Sequence, residues 1–154
     1  MVFDTYEQMS IKTLERTNRG EEQGLQLHRI AATQLVRQWR AFLKQGNNKS
    51  SLIEFLVQEW QTAKYTDKLP GKDLFVTHLE KCWKINGNHC EEVPELTSRH
   101  EEADGRLLLH AAHAAAAGYS AVVICSEDTD VFVLCLAFSQ QIGVPLFQRC
   151  GTQT

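Results

Sequence analysis

A chain of 154 residues that is 43% hydrophobic carries enough apolar content for one core, so a single globular domain is expected. Its formal net charge of -3 and pI near 6.1 exclude the general basicity with which many nucleic-acid binders condense on phosphates; any such binding must come from a local patch or from metal. The opening MVFDTYEQMS has an acid where a secretory signal needs an apolar run, no stretch approaches the roughly 20 apolar residues of a membrane span, and the cysteines form no C-x-x-C pair, so an intracellular protein, nuclear or cytoplasmic, with reduced and mostly buried thiols and no membrane partner is expected.

Met1-Val2-Phe3-Asp4 reads as the apolar stub of a strand ending in an acid. Tyr6 to Gly24 is polar, a loop with a helical turn or two, along which Lys12, Arg16 and Arg19 are spaced. From Leu25 to about Leu43, the residues Leu27, Ile30, Ala31, Leu35 and Trp39 recur at helical spacing and predict a helix. Gly46-Asn47-Asn48 should break the chain, Ser50 or Ser51 should cap, and Leu52, Ile53, Phe55, Leu56 and Trp60 predict a second amphipathic helix. Residues 25–70 thus read as a helical insertion or cap. After the Pro70-Gly71 turn, DLFVTH and KCWKI are two short strands in a tight hairpin, and Glu91 to Leu96 continues extended.

Ser98-Arg99-His100-Glu101 matches a capping box ahead of the helix formers Ala103 to Ala117, which Gly118 stops. SAVVIC, residues 120–125, has the continuous β-rich pattern of a strand covered on both faces. Acids follow it, then a helix from Val131 that Gly143-Val144-Pro145 ends, then a last strand at Leu146 and Phe147. This alternation predicts an α/β fold with a parallel, doubly wound sheet, which places ligands beyond the carboxyl ends of its strands.

Two acid clusters fall at such places: Glu101, Glu102 and Asp104 at a helix start, and Asp128 with Asp130 after SAVVIC. Carboxylates crowded into one pocket repel and raise one another's pKa, so a convergent set is tolerated chiefly around a cation. Magnesium or manganese suits oxygen donors, and a metal pair roughly 4 Å apart stabilises both the attacking and the leaving oxygen of phosphodiester hydrolysis. Taken singly, each cluster reads first as helix capping, with Glu102 also free to pair with Arg106.

The ordered combination of phrases resembles the flap-endonuclease branch of the PIN-like nucleases and their relatives in transposon-rich animal genomes. Val2-Phe3-Asp4 followed by Ser10-Ile11-Lys12 and Leu14-Glu15-Arg16 is similar to that family's strand-ending V-F-D and basic helix; Glu102-Ala103-Asp104 is similar to its E-A-E helix start, and Ser126-Glu127-Asp128-Thr129-Asp130 to its E-D-x-D turn. The resemblance implies a Rossmann-like PIN domain with a mainly parallel central sheet flanked by helices. It also implies Mg2+ or Mn2+ held by Asp4, Glu102, Asp104, Asp128 and Asp130, with Glu101 alongside, and nucleic acid held by Lys12, Arg16 and Arg19 near the scissile phosphate. The family pattern further includes an acid on a strand before V-F-D and a late G-C-D-like turn, neither within these 154 residues, so a partial domain is expected.

Two other functions fit parts of the pattern. A catalytically degenerate PIN-like module would bind nucleic acid or protein without cutting, and the D-x-D-V of Asp128 to Val131 would suit an aspartate-nucleophile phosphatase. His110 and His113 with Cys82, His89 and Cys90 match no strong zinc spacing, and Trp39 and Trp60 fall on apolar stripes expected in the core.

Overall fold

A computed structural model describes residues 1–5, 30–87, 89–100 and 102–151. The expected basic helix with Lys12, Arg16 and Arg19 lies outside these residues, as do Glu101 and the start of the helix expected from Leu25. Among the described residues three helices come first, α1 (Trp39–Leu43), α2 (Gly46–Trp60) and α3 (Ala63–Thr66), followed by strands β1 (Leu74–His78), β2 (Lys81–Ile85) and β3 (Cys90–Glu92). A 3-10 turn at Pro94–Leu96 leads into α4 (Ala103–Ala116), β4 (Val122–Cys125), α5 (Thr129–Ile142) and β5 (Leu146–Arg149).

The fold is mixed α/β, but the strands form two small sheets. β1, β2 and β3 are antiparallel neighbours in that order, and β4 pairs in parallel with β5. A mainly parallel central sheet is therefore not what the described residues make. The reason is local: Leu79-Glu80 is too short to cross over and joins only antiparallel neighbours, whereas α5 supplies the long connection that a parallel pair needs.

The antiparallel sheet is covered on both faces. Val76 and Ile85 point to α2, where they meet Ile53 and Val57, while Phe75 and Cys82 point the other way with Val93, Leu96 and Leu109 of α4. Beyond α4 lies a second core, in which Ala111, Ile124, Val131 and Cys135 join α4, β4 and α5. Both helices lie on one side of β4 and β5, so Val123 and its register partner Phe147 are each 58% exposed on the opposite face. SAVVIC was expected to be covered on both sides; its one-sided burial is the correction.

Other departures have equally local causes. Of the first expected helix, residues 30–43 contribute only α1 to the described structure, with Leu35 and Trp39 exposed rather than in the core. Gly46-Asn47-Asn48 opens α2 instead of breaking the chain ahead of it, and the buried Asn48 side chain donates to Phe42 O at 3.1 Å, tying the start of α2 to the end of α1. Cys90, Cys125 and Cys150 are exposed and only Cys82 and Cys135 are buried, all five being free thiols, so the cysteines are not mostly interior. No helix among the described residues is long and apolar enough to cross a membrane.

The stop signals were legible. Gly143 ends α5 in the left-handed conformation, and Gly118 ends α4 at φ 90 with Tyr119 N bonded to Ala114 O and Gly118 N to Ala115 O. That pair of bonds is the Schellman arrangement, which needs a residue without a Cβ penalty. Gly118→Ala should therefore cost about 1 kcal/mol through backbone strain alone, since nothing lies within 4 Å of the added methyl; urea unfolding checks this.

Candidate metal centre

Three separate stretches of chain carry acids into electrostatic reach of Asp104. Met1–Thr5 runs beside β1 in the same direction: Thr77 N donates to Met1 O at 3.1 Å, Phe3 N to Thr77 Oγ1 at 2.8 Å, and Thr5 Oγ1 to Leu79 O at 3.3 Å. A side chain takes one rung, so the stub is extended but not a ladder strand. It ends by placing Asp4 Oδ1 2.9 Å from Ala103 N, the first amide of α4.

That contact replaces the expected capping box. Ser98 accepts from His100 N at 3.2 Å in a local turn, and α4 starts only at Ala103, with Glu102 as an extended N-cap residue that makes no capping bond of its own. The late start settles the geometry of Glu102 and Asp104. Two residues apart inside a helix they would diverge, but with Glu102 outside the helix (φ -87, ψ 142) both line one cleft of about 580 Å³ with His100, Gly105 and Asp130.

The third stretch is the turn after β4. Asp128 caps α5 by accepting from Asp130 N at 2.9 Å, and its own amide is held by Ser126 Oγ at 3.1 Å. A β5 side chain fixes the turn from beneath: Gln148 Nε2 donates to Ser126 O at 2.9 Å and Asp128 O at 3.1 Å. Nothing in the sequence singles out Gln148, because its role depends on the parallel register that pairs it with Ile124.

The carboxylates interact electrostatically. Asp104 is raised above the ordinary carboxylate range by partial burial first, then by the negative charges of Asp128, Glu102, Asp4 and Asp130. Two helix amino ends, of α4 and α5, face this cluster and offset part of the repulsion. Asp4, Glu102, Asp128 and Asp130 thus lie within electrostatic reach of Asp104, while Glu101, Lys12, Arg16 and Arg19 lie outside the described residues.

An all-oxygen donor set suits a hard divalent cation better than zinc. The fit is partial: among the described residues, no three His, Cys, Asp or Glu side chains stand close enough to share one ion, and Asp4 and Asp128 each commit an oxygen to a helix amide. Among the described residues the combination of His110 and His113 with Cys82, His89 and Cys90 is not gathered into a metal-binding group either. His110 and His113 instead meet the edge of Phe75, at 6.5 and 5.5 Å between ring centroids. They line a separate cavity of about 790 Å³ between the antiparallel sheet and α4. Burial, followed by nearby positive charge, lowers His110 to about 4.

Comparison of the chain with models of known families, with curated proteins and with solved structures finds no match.

Proposed function

We propose that this chain is a divalent-metal-dependent, PIN-like nuclease domain of the flap-endonuclease type, acting on phosphodiester bonds of nucleic acid. The observation that supports the reading is the meeting of five acids from three distant stretches, four of them raising the pKa of the fifth, Asp104. Mg2+ or Mn2+ held by Asp4, Glu102, Asp104, Asp128 and Asp130, with Glu101 assigned alongside them from the sequence resemblance, would relieve this repulsion and supply Lewis-acid activation of water and phosphate. In that role Asp4 and Asp128 would turn their second oxygens toward the ion while keeping their helix bonds. Lys12, Arg16 and Arg19 are assigned to the phosphates of the bound strand, and the domain is assigned to the intracellular, nuclear or cytoplasmic, space.

The test is cleavage of labelled single-stranded and flap substrates, of DNA and of RNA, in Mn2+. Wild-type product that disappears in Asp128→Asn plus Asp130→Asn supports the nuclease. Equal product from both proteins overturns the assigned site.

A second reading, a PIN-like module that binds nucleic acid or protein without cutting, is favoured by one observation: no three of the described acids share an ion's coordination shell as they stand. It expects salt-sensitive binding and no product. The phosphatase reading uses only Asp128 and Asp130 and leaves the convergence of Asp4, Glu102 and Asp104 without a purpose.

A further inference from the structure

Arg106 is charged yet only 1% exposed, and its side chain reaches the stub on both sides of Asp4. Nη1 donates to Phe3 O at 3.4 Å and to Thr5 Oγ1 at 3.1 Å, while Nη2 reaches Lys81 O at 3.5 Å in β2. Arg106 thus touches the residue before Asp4 and the residue after it, and ties both to the hairpin. Because it stands on the first turns of α4, the same helix whose first amide binds Asp4 Oδ1, one rigid element grips the stub at three successive residues.

A guanidinium so deeply buried carries a large desolvation cost, and its Nε has no partner among the described residues. Simple packing does not need a charge there. A planar, multi-donor group does suit the task of fixing a short extended segment that lacks a full strand ladder.

We propose that Arg106 is a positioning residue that holds Asp4 in the carboxylate cluster, acting through Phe3 and Thr5 and not by touching metal or substrate. The role in metal binding rests on the nuclease reading; the hold on Asp4 does not. Groups that orient metal ligands typically change affinity by about 10–100-fold when removed, which sets the expected size of the effect.

The experiment measures Mn2+ affinity and hydrogen exchange at the Ala103 amide in wild type, Asp4→Asn, Arg106→Gln, and the double variant. Arg106→Gln should weaken Mn2+ about tenfold or more, the double variant should be no weaker than the worse single one, and Ala103 should lose protection in Arg106→Gln. Additive losses, or a folded Arg106→Gln with full affinity and a protected Ala103 amide, would overturn the proposal. Where Arg106→Gln does not fold, Arg106→Lys keeps the charge but lacks the fork that reaches Phe3 O, Thr5 Oγ1 and Lys81 O together, and it should speed Ala103 exchange; an unchanged rate counts against the role. If wild type binds no Mn2+, the metal reading fails, and the exchange measurements alone decide whether Arg106 holds Asp4.

Discussion

Taking the protein from pH 7 to pH 4 should remove roughly 2–3 kcal/mol of stability through His110 alone. Burial, followed by neighbouring positive charge, lowers this imidazole to about 4, and its Nε2 is buried without a partner among the described residues. The unfolded chain takes up the proton near the ordinary histidine value of about 6.5, the folded chain only far below it. The contribution is therefore complete above that value and is lost as pH falls toward about 4. Partial exposure of His110 keeps the figure below the full shift. His110→Phe keeps an aromatic edge toward Phe75 and should flatten the dependence, as read from urea midpoints at pH 7, 5 and 4. Wild type and variant losing equal stability would show that His110 is not the responsive group.

The second large effect is metal-linked. At a hundredfold excess over its dissociation constant, a cation that binds only the folded state stabilises by roughly 3 kcal/mol, or about 5–10 °C for a chain of this size. Asp104 sets the sign of the metal-free baseline. Its pKa is raised in the fold, so the folded state holds this proton more tightly than the unfolded one, and stability declines as pH rises from the ordinary carboxylate value through the raised one. At pH 7 the ionised group repels Asp128, Glu102, Asp4 and Asp130. Asp104→Asn should then melt slightly above wild type without metal, by about 1–3 °C, and gain much less from Mg2+ or Mn2+. A metal-free melting point below wild type, with an undiminished metal shift, would mean that the acids do not act together.

How far the sequence carried depended on whether the determining contacts were local. The hairpin of β1 and β2, the glycine stops at Gly118 and Gly143, and the Asp128 cap of α5 all rest on neighbours a few residues apart, and each was legible. The start of α4 was not, because the group that caps Ala103 is Asp4, ninety-nine positions away, and the local S-x-x-E signal pointed to an earlier start. Asn48 misled in the same way: a residue type that breaks helices sits in the first turn of α2, its buried side chain donating to the carbonyl of Phe42. Among the candidate site residues, the acids could be picked out as candidates by their phrases. Arg106 and Gln148 could not, since they act on segments that only tertiary structure brings near.

The central claim is that dispersed carboxylates form one divalent-cation site, and calorimetric titration with Mn2+ tests it most directly. Wild type should bind saturably, and Asp128→Asn plus Asp130→Asn should weaken binding at least about tenfold. Binding that is unchanged in the double variant would contradict the account, whatever activity the protein displays.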